Sequence, residues 1–126
     1  MSTKNYLSLG IMTGTSLDGV DLSIIKSDGK NQVIFLDGSS YPFPTNIQKS
    51  IYSILGSSAN NKNIIKIENE YTNFIIKKIK YFLSKNKYKI DLIGFHGQTI
   101  THKPKKKITW QIGSAKKLYE TLKIKT

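Results

Sequence analysis

A short stretch of glycine, hydroxyl and acidic residues separates two apolar segments near the start of the chain. The apolar segments run from Tyr6 to Leu9 and from Val20 to Ile25, and the sequence from the end of the first into the start of the second reads Gly10-Ile-Met-Thr-Gly-Thr-Ser-Leu-Asp-Gly-Val-Asp21. Turn-forming residues between two such segments are typical of a hairpin connection. The pattern predicts two strands, Tyr6 to Thr13 and Val20 to Ser27, joined by this stretch.

The following segments extend this hairpin into an α/β domain. Asp28-Gly29 is a turn signal and Gln32 to Ser40 has strand character, which predicts a three-strand antiparallel meander. A near-continuous apolar run, Ile90 to His96, predicts a buried strand parallel to its neighbour after a helical crossover. The other predicted elements are a helix from Thr45 or Asn46 to about Leu55, a polar loop Gly56 to Asn63, a helix to about Lys85, a basic loop His102 to Lys107, a strand Ile108 to Ile112, and a helix after Gly113.

This order of elements is that of the beginning of a ribonuclease-H-like α/β fold. In that fold, the hairpin between the first two strands carries a phosphate loop. The chain of 126 residues is long enough for one domain with a core of its own. The prediction is therefore a single, incomplete ribonuclease-H-like domain over residues 1–126.

Composition narrows the classes of partner. The net charge is +12, and all 20 basic residues are lysine. Nucleic-acid recognition relies on arginine for bidentate contacts, so nucleic acid is the less favoured partner, although the positive field suits an anionic substrate. The chain has no cysteine, no apolar stretch that could span a membrane and no signal-like N-terminus, which favours the cytoplasm.

The glycine-rich stretch is the first candidate site. The hydroxyls of Thr15 and Ser16 can donate to phosphate oxygens, and Gly14 and Gly19 permit a positive φ and a close backbone approach. The carboxylates of Asp18 and Asp21 can hold Mg²⁺ beside the phosphate. An ordinary hairpin turn is the alternative interpretation. The candidate nucleotide-binding residues are Gly14, Thr15, Ser16, Leu17, Asp18, Gly19, Val20 and Asp21.

A second polar cluster, Gly94-Phe-His-Gly-Gln-Thr99, follows the predicted buried strand. Ligands bind at the carboxyl ends of such strands, and His96, Gln98 and Thr99 offer donors and acceptors suited to a sugar. The alternative is a turn in which the histidine caps backbone groups. Downstream, Trp110 suits either sugar stacking or core packing, and Gly113 precedes a helix N-terminus that could attract an anion.

These motifs together resemble one family. The segments Gly10 to Asp21, Ile93-Gly-Phe-His-Gly-Gln-Thr99 and Thr109-Trp-Gln-Ile-Gly113, with His102 and Pro104 between the last two, are similar in order and place to those of anhydro-N-acetylmuramic acid kinases. That family belongs to the sugar-kinase, heat-shock-70 and actin superfamily. The resemblance covers nearly the whole chain.

The resemblance implies an activity. Such enzymes use ATP and Mg²⁺ to open the anhydro ring with water and to phosphorylate the 6-oxygen, which gives N-acetylmuramic acid 6-phosphate during peptidoglycan recycling. It implies that residues 14–21 bind the ATP phosphates and that His96, Gln98 and Thr99 face the sugar. Met12 stands where many superfamily members carry a magnesium-binding aspartate, so Asp18 or Asp21 is expected to serve the ion through water.

The resemblance also implies that part of the catalytic apparatus lies elsewhere. Family members have a second domain, and their catalytic aspartate is expected beyond Thr126, so no catalytic residue is predicted in this chain. We expect the chain alone to lack kinase activity and to need a C-terminal half, with self-association as a further possibility. The alternatives are a nucleotide-binding module without catalysis and, less favoured, a basic nucleic-acid-binding protein.

Overall fold

Six strands and three helices make up the described part of the chain, which is residues 4–57 and 62–126 of a computed structural model. Residues 58–61, which fall in the predicted polar loop, and residues 1–3 lie outside it. The elements are β1 (Tyr6–Thr13), β2 (Gly19–Ser27), β3 (Val33–Pro42), α1 (Thr45–Tyr52), α2 (Ile64–Asn86), β4 (Leu92–Phe95), β5 (Gln98–Lys103), a 3-10 turn (Pro104–Lys106), β6 (Ile108–Ile112) and α3 (Ala115–Leu122).

The main sheet has four strands in the order β3-β2-β1-β4. β1, β2 and β3 are antiparallel neighbours, and β4 lies parallel to β1 with Leu9 opposite Ile93. The predicted meander and the predicted parallel strand are both confirmed. A mixed α/β architecture follows, with the helix α2 serving as the crossover between the meander and β4.

The core lies on one face of this sheet because the strands alternate. Leu9 and Ile11 of β1 and Leu22 and Ile24 of β2 are buried, whereas the residues between them are more exposed. The apolar stripe of α2 packs in the same core and comprises Ile67, Tyr71, Phe74, Ile75, Ile79 and Phe82. Burying each such side chain contributes about 2 kcal/mol, so α2 contributes a large part of the core that packs against the sheet.

The segment after β4 differs from the prediction. Residues predicted as a strand-ending turn and a basic loop form β5, which pairs with β6 in a separate two-stranded sheet. Gln98, Ile100 and Thr101 of β5 are buried. Because two of these three side chains are polar, the sequence shows no apolar alternation, and its hydrophobicity pattern does not predict the strand.

The other bounds differ by a few residues. β3 continues to Pro42, α1 ends at Tyr52 rather than near Leu55, and β4 is shorter than the predicted strand. Within residues 4–57 and 62–126, no helix is long and apolar enough to cross a membrane.

Candidate phosphate site

The connection between β1 and β2, residues 14–18, forms a tight turn at the carboxyl end of β1. The amide of Leu17 donates to the carbonyl oxygen of Gly14 at 3.2 Å. Leu17 has a positive φ of 59°, and its side chain is fully buried. A left-handed leucine is costly for a single residue, and the burial of its side chain helps to offset that cost.

Gly14 in this turn and Gly19 at the start of β2 do not use the positive φ that glycine permits. Neither Gly14 nor Gly19 has a positive φ, which falls on Leu17 instead. Gly19 is required by close packing, because a Cβ there would lie 2.3 Å from the carbonyl oxygen of Tyr41 on the neighbouring strand. The positive φ that these glycines would permit is not used, because the left-handed residue of the turn is Leu17.

Three carbonyl oxygens of the turn accept hydrogen bonds from the rest of the protein. Gln98 Nε2 donates to Gly14 at 3.1 Å, Gln48 Nε2 to Leu17 at 2.8 Å, and the amide of Phe43 to Asp18 at 3.0 Å. These three carbonyls therefore face inward, toward β5, α1 and the end of β3.

The amides and hydroxyls of the turn have the opposite environment. Thr15 and Ser16 are exposed. Among the hydrogen bonds of the described residues, none uses their amides or hydroxyls. A turn with inward carbonyls and unpaired outward N–H and O–H groups is suited to binding an anion. Leu17 and Val20 have side chains in the core, so only their backbone is available to a ligand.

The two candidate magnesium ligands share one shallow depression with Ser40 and Tyr41. Asp18 and Asp21 are both exposed, and Asp21 Oδ1 accepts a 2.6 Å hydrogen bond from the Ser40 hydroxyl. In the described ranges, no cluster of three or more acidic or histidine side chains could hold a metal ion. Mg²⁺ would fit here with water and phosphate oxygens completing its shell, which is the coordination that the ion favours.

A buried hydrogen-bond network attaches the end of β1 to the second polar cluster. Thr13 Oγ1 lies 2.8 Å from the Tyr71 hydroxyl and donates to the Gly97 carbonyl at 3.2 Å. Burial raises the pKa of Tyr71, so this phenol is neutral. Gly97 has a φ of 84°, and a Cβ there would lie 2.3 Å from the Ile112 carbonyl oxygen. The network places residues 97–99 beside the turn.

This arrangement separates the three residues that were predicted to contact the sugar. Gln98 is fully buried beneath the turn, whereas His96 is exposed and Thr99 is half-buried. Thr99 Oγ1 accepts a 3.2 Å hydrogen bond from Gln111 Nε2 on the opposite strand. The structure thus brings Gln98 to the candidate phosphate site and pairs Thr99 with Gln111.

The remaining candidates of this region have structural partners. Trp110 packs against the core. His102 Nδ1 lies 2.8 Å from Thr109 Oγ1 across the β5–β6 hairpin. The amide of Gly113 donates to the Glu68 carboxylate at 3.0 Å, so this carboxylate already occupies the position predicted for an anion.

Comparisons with known proteins identify the family. Residues 6–126 match the sequence profile of anhydro-N-acetylmuramic acid kinase. The chain belongs to this family. The anhydro-N-acetylmuramic acid kinase of Pelagibacter ubique is 41% identical over 127 residues, which cover 95% of this chain and 34% of that protein. The kinases of that name from Zymomonas mobilis and Rhodopseudomonas palustris are 38% and 34% identical and are covered over 36% and 35% of their lengths.

This family member therefore spans about a third of the length of the curated relatives that it matches. Sequence reasoning missed four residues that build its candidate site, which are Thr13, Gln48, Tyr71 and Gln111. Thr13 and Tyr71 are 58 positions apart, so their hydrogen bond has no local signal in the sequence. Cross-strand pairing would have indicated Gln111 once β5 was recognised as a strand.

Proposed function

We propose that this chain contributes the ATP-phosphate site of a kinase that acts on 1,6-anhydro-N-acetylmuramic acid. In the proposed reaction, water adds to C1 as the bond from C1 to O6 breaks. O6 takes the γ-phosphoryl group of ATP, which leaves ADP and N-acetylmuramic acid 6-phosphate. This is a step of peptidoglycan recycling, and its use of ATP is consistent with the cytoplasm.

The observation that carries this proposal is the polarity of the turn at residues 14–18. The carbonyls of Gly14, Leu17 and Asp18 are held inward, while the amides and hydroxyls of Thr15 and Ser16 stay unpaired. An array of unpaired N–H and O–H donors stabilises a phosphate without a side-chain cation. Asp18 and Asp21 lie in one depression and would hold the Mg²⁺ of the nucleotide through water.

The sugar would approach from the side of β4 and β5, where His96 and Thr99 remain candidate contacts. We further propose that the fold is ribonuclease-H-like, as in the actin-like ATPases, and that a second domain supplies the catalytic aspartate and the adenosine site. Phosphoryl transfer requires charge stabilisation and water exclusion from both sides of a closed cleft. The 126-residue chain alone is therefore expected to bind Mg-ATP without turnover.

Nuclear magnetic resonance tests the binding step directly. ¹⁵N-labelled chain titrated with Mg-ATP should show saturable shifts of the amides of Thr15, Ser16 and Asp18. The amides of residues 28–32, in the next connection, serve as an internal control and should not move. Shifts spread evenly over lysine-rich surfaces, or none at the turn, would contradict the phosphate site.

A chimera tests the reaction. Residues 6–126 of this chain would replace the matching segment of the Pelagibacter ubique relative, and sugar phosphate would be detected by mass spectrometry. We expect product from the chimera and none from the isolated chain. A chimera that binds Mg-ATP but forms no product would favour a nucleotide-binding module without catalysis.

A further inference from the structure

We propose that Gln98 and Gln48 are positioning residues that aim the amides of the β1–β2 turn at the phosphate. The inference rests on the proposed function, because it assigns to these two side chains the orientation of the proposed phosphate site. Gln98 lies on β5 and Gln48 on α1, so the two amides reach the turn from different elements. We call this pair the glutamine clamp.

The orientation follows from the geometry of the peptide bond. In a trans peptide, the C=O of one residue and the N–H of the next point in opposite directions, and the described chain has no cis peptide. The carbonyl of Gly14 accepts from Gln98 Nε2 as well as from the Leu17 amide within the turn, so it faces inward and the N–H of Thr15 must face outward. The bond from Gln48 Nε2 to Leu17 does the same for the N–H of Asp18.

The second half of the Gln98 amide supports a positioning role over a purely structural one. Gln98 Oε1 is buried and has no hydrogen-bond partner among the described residues. An unpaired buried carbonyl costs free energy, which an apolar side chain of similar size would avoid. Stability alone would therefore be better served by leucine or methionine at this position.

The orientation of this amide is fixed by its surroundings. Nε2 faces two carbonyl oxygens, that of Gly14 at 3.1 Å and, more weakly, that of Thr99 at 3.4 Å. Rotating the amide would place Oε1 against both oxygens and would lose both contacts. The donor is thus committed to the turn, and the unpaired acceptor is the consequence.

Three single substitutions test the clamp in the 126-residue chain. Gln98→Met and Gln48→Met each remove the donor and keep the length of the side chain. Gln32→Met, in the exposed connection between β2 and β3, is the matched control. Each clamp variant should weaken Mg-ATP binding about fivefold, which corresponds to one lost neutral hydrogen bond, whereas the control should bind as the wild type does.

Two readouts separate positioning from stability. Without ligand, the amide signal of Thr15 should shift or broaden in Gln98→Met, and that of Asp18 in Gln48→Met, because each peptide loses the hydrogen bond that ties it to a neighbouring element and the Gly14 carbonyl keeps only the 3.2 Å bond from the Leu17 amide within the turn. The thermal unfolding midpoint of Gln98→Met should not fall below that of the wild type, since the unpaired acceptor is removed as well. A purely structural glutamine would show a lowered midpoint and an unchanged turn.

A pH series with Gln98→Glu tests whether restoring a hydrogen-bond donor at this position restores Mg-ATP binding. The introduced carboxyl, when protonated, can donate O–H to the Gly14 carbonyl, but when ionised it can only repel it. Binding relative to the wild type at the same pH should therefore approach unity at low pH and decline as the pH rises. Gln98→Met should show a flat ratio.

The outcomes separate the clamp from the proposed function. Clamp variants that bind Mg-ATP like the wild type, with unchanged signals from the turn, would overturn the clamp. If Gln98→Met does not fold, Gln48→Met decides by the same criteria. If the wild type itself shows no Mg-ATP response, the proposed phosphate site fails, and the Thr15 and Asp18 signals without ligand still decide whether the glutamines orient the turn.

Discussion

The two connections of the meander differ in how their backbone amides and carbonyls are hydrogen-bonded. Between β2 and β3, Asp28 Oδ1 accepts the amides of Lys30, Asn31 and Gln32 at 2.9, 3.0 and 3.0 Å. The Asp28 carboxylate is therefore the anion bound by this connection, and these amides find their acceptor within residues 28–32. Between β1 and β2, the amides of Thr15 and Ser16 have no such partner, and the carbonyls of Gly14 and Leu17 accept from distant glutamines.

The difference shows how a turn becomes a binding site. A closed turn such as the one at Asp28 satisfies its donors locally and needs nothing from the rest of the fold. An open turn leaves donors for an external anion, so its shape depends on contacts with the rest of the fold, here the bonds from Gln98 and Gln48 and the burial of the Leu17 side chain in the core. Damage to the surrounding structure should therefore affect the open turn far more than the closed one.

The largest effect is expected from Gly19→Ala. The added Cβ would lie 2.3 Å from the Tyr41 carbonyl oxygen, a backbone atom that cannot move alone. We expect the free energy of unfolding, measured by urea denaturation, to fall by about 3 kcal/mol. Gly29→Ala in the closed turn is the control: φ is +74° but no atom lies within 4 Å of the new Cβ, so about 1 kcal/mol is expected for the left-handed backbone. Equal losses at both glycines would contradict the comparison.

The next effect concerns the support beneath the open turn. Thr13→Val removes a hydroxyl that lies between the Tyr71 hydroxyl and the Gly97 carbonyl, leaving both buried groups unpaired. We expect a loss of about 2 kcal/mol in the free energy of unfolding. In the double variant with Tyr71→Phe, part of this loss should be recovered, because one unpaired group disappears. Strict additivity of the two substitutions would show that the hydroxyls do not interact.

The same contrast explains what the sequence could predict. The meander and α2 were predictable because alternation in the strands and the 3-to-4-residue spacing of residues such as Tyr71 and Ile75 are local patterns. The closed turn was predictable from Asp28-Gly29 for the same reason. β5 was not, since the inward positions held by Gln98 and Thr101 are polar.

The open turn was located by sequence, but its internal arrangement was not. The bond from Gln98 to Gly14 spans 84 positions and that from Gln48 to Leu17 spans 31, so neither leaves a local signature. For this reason Gln98 was assigned to the sugar, whereas its buried donor reaches the turn. The roles of His96 and Thr99 toward a sugar stay predictions.

The substitution Gly14→Asp is expected to convert the open turn into a closed one. Gly14 occupies the start of its turn as Asp28 does, its φ is not positive, and the nearest atom to an added Cβ is Ser16 Oγ at 3.7 Å. Gly14→Asp should place a carboxylate over the amides of the turn, where it competes with phosphate. We expect Mg-ATP binding, followed by the Thr15 signal, to weaken about tenfold or more, with stability maintained. Gly14→Ala, which adds no charge, should bind nearly as the wild type does, and a similar loss in both would contradict this explanation.

The smallest effect is expected in the closed turn itself. The backbone amides of Gln32, Lys30 and Asn31 lower the pKa of Asp28, so the ionised carboxylate stabilises the folded state. A lowered pKa means that this contribution is complete above the unfolded pKa of about 4 and is lost as the pH falls through the folded pKa. Asp28→Asn should therefore be less stable than the wild type at pH 7, and the gap between their urea midpoints should narrow below about pH 4. Mg-ATP binding should not change, because Asp28 serves only the closed turn; a loss of binding in this variant would mean that the two connections are coupled through β2.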